Sequence, residues 1–192
     1  IMLASNKSWE AILYYNQVEK EFKENPLGHK AKFRRARVAF FQGDFEWAQA
    51  QLDILKSSTS KLIANDAMKL SLLITDNLGL DTTLDIMRTF ARAEFLLFQN
   101  MFDAALLTYD SILYSFSEHS LIDEIYFSKS NIFLEQNNLD KTVLMLRKII
   151  EEFPYDILAD DATFQLAKIY ESRLNNIEEA MKLYESILVN YQ

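Results

Sequence analysis

The chain has 192 residues, of which 49% are apolar, with no cysteine and a formal charge of −8. The lack of cysteine excludes disulfides and thiolate metal sites, and the acidity sets the chain against phosphate backbones, so nucleic acid is not an expected partner. No run approaches the roughly 18 uninterrupted apolar residues of a membrane-spanning helix, so no direct membrane insertion is expected.

Only three glycines and two prolines interrupt the chain, while Leu, Ala, Phe, Glu and Lys are abundant. Few breakers among good helix formers predict long helices and no sheet. In chain order the pattern predicts helices over 8–24, 28–42, 45–57, 60–77, 83–99, 102–116, 119–136, 139–152, 156–173 and 176–190. Asn77-Leu78-Gly79-Leu80-Asp81 is expected to end the fourth, with Asp81 or Thr82 capping the fifth. The chain opens on Ile1 beside the first helix, and no signal peptide is visible. It is expected to be a piece of a longer protein whose targeting signals lie elsewhere.

One pattern recurs along these helices. A small residue is followed by Phe, Leu or Tyr, then a polar turn, an aromatic or aliphatic residue, and Ala three positions on. The copies begin at Ala36, Ala93, Ser130 and Ala167. Their later small residues are Ala48, Ala105, Thr142 and Ala180. Small residues allow helices to approach closely. Gly43, Asn100 and Asn137 suit the left-handed backbone that ends one helix and turns the chain. Ala11 to Ala48 and Ala105 to Thr142 are 37 residues apart, and Thr142 to Ala180 is 38. Ala48 to Ala105 is 57, an excess of one helix and a turn, which places an additional helix near 60–77.

The order Ala, aromatic, Gly or Asn, Asp, aromatic, Ala, aromatic, Pro resembles the tetratricopeptide (TPR) consensus, at a period slightly longer than the usual 34 or so residues. The consensus Trp near the start of each first helix is absent, and the consensus Leu occurs only as Leu166. The junction Phe153-Pro154-Tyr155-Asp156-Ile157-Leu158-Ala159-Asp160-Asp161-Ala162 is similar to that of bacterial cell-envelope TPR proteins of the BamD and CpoB (YbgF) type. The fold expected is all-α: a single TPR-like right-handed solenoid of about ten antiparallel helices over 1–192. Its units are 8–24 (partial), 28–57, the extra helix 60–77, 83–116, 119–152 and 156–190. The resemblance implies a protein-interaction scaffold whose concave face, lined by the first helix of each pair, takes a partner protein or peptide. It also inclines the compartment toward the bacterial periplasm or cell envelope. The alternative is a structural spacer or self-association module, a possible homo-oligomer with an empty groove.

Phe33, Phe90, Phe127 and Phe164 occupy one repeat position, three residues before the small one. The resemblance implies that Phe33, Arg37, Phe40 and Phe41 face the groove, with Phe90, Glu94 and Phe98, then Phe127 and Asn131, then Phe164 and Lys168 as their equivalents. A ladder of exposed rings suits an extended or helical peptide. The competing reading packs the rings between repeats as core. Arg37, Asn131 and Lys168 match the positions of a two-carboxylate clamp but lie in different repeats interrupted by Glu94, so that activity is not assigned. Tyr184, Ile187 and Leu188 are expected to be exposed on the last helix unless another chain covers them.

Catalytic and cofactor chemistry has no constellation to rest on. His29 and His119 lie about 90 residues apart with no motif around either. No phosphate loop or nucleophile motif occurs. Asp156, Asp160 and Asp161 lack the glycine and distal Glu of a calcium loop and read instead as a helix cap and an acidic first turn. No metal site, cofactor or enzyme activity is expected. The basic run Lys30, Lys32, Arg34, Arg35 and Arg37 either grips an acidic peptide or pairs with Glu19, Glu21 and Glu24 of the preceding helix.

Overall fold

A computed structural model describes Leu3 and residues 7–57, 60–78 and 83–190. The described residues are helical, with no strand. Ten helices follow in order: α1 (Ser8–Glu21), α2 (Pro26–Phe41), α3 (Phe45–Leu55), α4 (Lys61–Asn77), α5 (Thr83–Phe98), α6 (Phe102–Ser115), α7 (Ile122–Glu135), α8 (Leu139–Glu152), α9 (Leu158–Ser172) and α10 (Ile177–Asn190). This is the all-helical repeat fold expected from the sequence, with the additional helix present as α4. The expected caps at Asp81 and Thr82 lie outside the described residues.

The repeat positions explain the helix ends. Gly43, Asn100 and Asn137 adopt φ of 78°, 60° and 56°. At each, the next residue's N–H reaches back five positions to a carbonyl: Asp44 to Ala39 at 2.9 Å, Met101 to Leu96 at 2.9 Å and Asn138 to Phe133 at 2.8 Å. That closure satisfies carbonyls the helix leaves unpaired and reverses the chain in two residues. In the fourth copy Asn175 takes φ 51°, and the closing bond runs from Asn176 to Tyr170, one residue longer, at 2.8 Å. The side chains of Asp44, Asn138 and Asn176 then cap the following helices by accepting from Trp47, Lys141 and Glu179 N–H at 3.3, 3.3 and 3.2 Å.

At three junctions the helix ends move from the sequence expectation. α1 stops at Glu21, and α2 starts earlier, at Pro26, because Asn25 caps it by accepting from Leu27 N–H at 2.9 Å and Pro26 needs no donor there. Gly28 is required, since a Cβ would stand 2.2 Å from the Phe22 carbonyl oxygen. α7 starts at Ile122 after a turn in which Ile122 N–H donates to the His119 carbonyl. α9 starts at Leu158, and Ile157, not Asp156, holds the cap position; Asp160 and Asp161 lie in the first turn as expected.

Contacts gather the chain into two compact units, residues 1–112 and 113–192. In the first, α2 is central and packs against α1, α3, α4 and α5, while α4 also packs on α3. In the second, α7 packs on α8, α8 on α9 and α9 on α10, with α7 also touching α9. Contacts between neighbours and next neighbours are those of stacked hairpins. All eight small repeat positions, from Ala36 and Ala48 to Ala167 and Ala180, are buried. Their lack of bulk brings the backbones together, and apolar burial of roughly 25 cal/mol per Å² stabilises the contact.

Candidate protein-interaction site

The sequence-predicted residues fall in both units, and each unit forms its own arrangement. In the first, Arg37 of α2 lies against two rings, 5.4 Å from the Phe41 centroid and 5.4 Å from that of Phe98 on α5. Phe41 is 5.3 Å from Phe95 and 5.8 Å from Phe98. Ring pairs of this kind contribute about 0.5–1.5 kcal/mol beyond area burial. Burial lowers the Arg37 pKa below the usual arginine value, while Glu94 and Asp66 act in the opposite direction. Glu94 accepts from the Tyr109 hydroxyl at 2.5 Å. Arg37, Phe41, Glu94 and Phe98 are therefore brought together, with Phe98 38% exposed as the open edge. Phe33 is half-buried.

Two expected groove residues are corrected. Phe40 and Phe90 are each 2% exposed. Phe40 packs edge-on against Phe45 of α3 at 5.6 Å, and Phe90 lies 6.0 Å from the buried Tyr109 of α6. Both rings join a first helix to its second helix, which is the core reading of the series.

In the second unit Phe127 is half-buried against Leu146, Ile149, Ala162, Leu166 and Ile169. Asn131 of α7 accepts from Gln165 of α9 at 3.0 Å, which fixes the two first helices to each other. Phe164 remains 50% exposed. Its ring lies 6.0 Å from Tyr184 and 5.6 Å from the Lys168 ammonium, and Lys168 is itself exposed. Tyr184 donates to Glu171 at 2.8 Å. The result is a half-open aromatic face with one exposed cation beside it.

The basic run is mostly engaged within unit 1. Glu19 pairs with Lys32 at 3.4 Å and with Arg35. Arg34 lies over Tyr15 and Arg35 over Trp47, at 6.0 and 5.0 Å. An open cavity of about 420 Å³ is lined by residues that include Lys20, Lys23, His29, Lys32 and Leu55. His119 accepts from Leu121 N–H at 3.2 Å, and burial lowers its pKa. Among the described residues no group of three or more His, Asp or Glu is arranged to hold a metal ion, and no helix is long and apolar enough to cross a membrane.

Sequence reasoning missed a buried acidic pair in the second unit. Asp123 is 4% exposed, and its Oδ1 and the Oε2 of Glu124 are buried without a hydrogen-bond partner. Burial first, then Asp123, pushes the Glu124 pKa up to about 10, and the charge of Asp156 adds to this. Two acids in a first turn read as dipole partners, so the sequence carries no signal of their burial.

Residues 161–192, which take in most of α9 and all of α10, match the family model of the tetratricopeptide repeat. With the ten-helix fold, this supports a TPR-type protein. No curated protein and no solved structure matches the chain. TPR repeats generally mediate protein–protein interaction, and their fold is typically a non-catalytic scaffold.

Proposed function

We propose that the chain is a protein-interaction scaffold holding a partner protein or peptide on the first-helix faces of its pairs. In unit 1 that face is the Arg37, Phe41 and Phe98 cluster. In unit 2 it is Phe164 with Lys168 and Asn131. The observation that carries the reading is the half-exposed Phe164 ring, packed on Tyr184 on one side and open beside Lys168 on the other. A ring held in place on one side offers contact area at low entropic cost, the property of interface anchors. The net charge of −8 argues against nucleic acid on these faces. The bacterial cell-envelope setting rests only on the resemblance of the 153–162 junction.

The test is affinity capture with wild type beside a Phe98→Ala/Phe164→Ala variant shown by circular dichroism to be folded. A protein retained by wild type and lost from the variant carries the reading. Equal capture by both discards it. The second reading, a spacer or self-association module, is favoured by the half-burial of Phe33 and Phe127 and the burial of Phe40 and Phe90, which leave fewer rings for a ligand. Light scattering that shows a monomer at all concentrations removes its oligomeric form.

A further inference from the structure

The open cavity of about 420 Å³ in unit 1 lies where three helix ends meet. Lys20 and Lys23 come from the end of α1 and the turn after it, Gly28 and Lys32 from the start of α2, and Ile54 and Leu55 from the end of α3. Two acids, Glu19 and Glu24, share the lining. Glu19 is already held by Lys32 at 3.4 Å and by Arg35. Among the described residues no ion pair holds Lys20 or Lys23, and both are exposed. Lys20, Lys23, Lys32 and Arg35 thus stand against two carboxylates, a local surplus of two positive charges in a chain of net charge −8.

The repeat itself does not require these cations. Ala11 to Thr142 and Ala36 to Ala167 are each 131 residues, which carries α1 onto α8 and α2 onto α9. In that register Lys20, Lys23 and Lys32 become Glu151, Pro154 and Thr163, and His29 becomes Asp160. A basic residue in a last helical turn complements the helix dipole, yet α8 ends on Glu151 and Glu152 and packs on α9 all the same. Thr163 is buried and donates to the Ala159 carbonyl at 2.7 Å. The same junction is therefore built in unit 2 without a cation at any of these positions, which leaves the three lysines of unit 1 a role beyond the fold.

We propose that this cavity binds a phosphate monoester, carried on a partner protein's side chain or on a small molecule. At pH 7 that group bears about −1.5 to −2 charges, which the surplus of two offsets. Lysine binds phosphate as a point charge, and a carboxylate brings only one charge to the same cations. Gly28 lies in the first turn of α2, where the helix end favours an anion. Ile54, 56% exposed, offers apolar surface to whatever carries the phosphate. An extended nucleic-acid backbone is turned away by the exposed Glu21 and Asp53 on the same helices. The cavity shares no lining residue with the Arg37, Phe41 and Phe98 cluster, so it stands or falls apart from the scaffold reading.

The whole isotope-labelled chain is titrated with glycerol phosphate and with N-acetyl-phosphoseryl-leucine amide, and the glycine amide signals are followed by NMR. Gly28 lines the cavity and Gly43 does not. Expected are a saturable shift of Gly28 with Gly43 unmoved, and about tenfold weaker binding of N-acetyl-glutamyl-leucine amide. Lys20→Gln/Lys23→Gln protein, with unchanged circular dichroism, is expected to bind both phosphates about tenfold more weakly. Both results for the source sustain the site. Tighter binding of the phosphopeptide, lost in Ile54→Ser protein, places the phosphate on a partner protein, and equal or tighter binding of glycerol phosphate places it on a small molecule. The proposal is overturned by no saturable shift at Gly28, by equal affinity for the glutamyl peptide, or by undiminished binding to the double variant.

Discussion

Arg37 and Lys168 hold the same repeat position in the two units, and their surroundings make them different residues. Arg37 is drawn between Phe41 and Phe98, and burial lowers its pKa. Lys168 lies over the edge of an exposed Phe164 with its ammonium in solvent. The cause is the neighbouring helix. In unit 1, α2 packs against α5 and brings rings from two first helices around one cation. In unit 2 α7 and α9 are joined through the Asn131–Gln165 amide pair and the shared core cluster, and Phe164 stays half exposed. A position in a repeat therefore fixes which way a side chain faces, while its neighbours decide whether it supports the fold or meets a partner.

The comparison is broken most severely through the Phe series. Phe90→Ala removes a buried ring and is expected to cost about 3–5 kcal/mol, whereas Phe164→Ala, half in solvent, costs under about 1 kcal/mol. Both tryptophans, Trp9 and Trp47, lie in unit 1. Tryptophan fluorescence during urea unfolding therefore follows unit 1, where the Phe90→Ala loss appears, while far-ultraviolet circular dichroism, which sees the helices of both units, reports the small effect of Phe164→Ala. Similar midpoints for the two variants would refute the assignment of core and surface rings.

The paired cations give the next largest effect. Arg37→Ala forfeits two cation–ring contacts and the attraction of Glu94 and Asp66, so about 1–3 kcal/mol of unit 1 stability is lost. Lys168→Ala is expected to change stability by less than about 0.5 kcal/mol while weakening partner capture. If both substitutions alter stability equally, the contrast between the two environments fails.

A pH series sharpens the comparison from the side of unit 2. Glu124 has a folded pKa near 10 against a reference value of 4.5. Below about pH 4.5 it is protonated in both the folded and unfolded states, and its contribution is fully present. As pH rises toward 10 the unfolded chain ionises while the folded one holds the proton, so stability falls across that interval. Glu124→Gln keeps the shape without the titration. It is expected to flatten the alkaline decline and to gain about 1–3 kcal/mol over wild type at pH 8–9, because the amide has no proton for the unfolded chain to lose. Thermal melts followed by far-ultraviolet circular dichroism check this. An unaltered slope in the variant would assign the decline elsewhere.

The fold was legible because its signals are local. The left-handed residues Gly43, Asn100 and Asn137, the buried small positions and the 57-residue gap that α4 fills each follow from backbone sterics or close approach. The site was only partly legible. Phe40 and Phe41 are adjacent and equally apolar, yet one ring meets Phe45 within its own hairpin and the other meets Phe95 on α5. The α2–α5 contact that gathers Arg37, Glu94 and Phe98 crosses the irregular helix, and a period cannot be carried through an interruption. Asp123 and Glu124 lie in the first turn of α7, where acids read as dipole partners in solvent, so no spacing encodes their burial.

The smallest effect tests whether the hairpin turns are interchangeable between repeats. Gly43 and Asn100 share the left-handed backbone, at φ 78° and 60°. Asn100→Gly relieves a mild strain and frees the unfolded chain, two small effects of opposite sign, so a change within about 0.5 kcal/mol is expected. Gly43→Asn is tolerated almost as well, because the atoms nearest its Cβ all belong to the long Arg88 side chain, Cγ first at 3.2 Å, which is able to shift. Gly43→Val, branched at Cβ and unsuited to positive φ, should cost about 1–2 kcal/mol more than Gly43→Asn. Urea midpoints by tryptophan fluorescence separate these outcomes. A large cost for Gly43→Asn would mean that this turn requires the absence of a side chain, making it a close-contact site rather than another copy of the Asn turns.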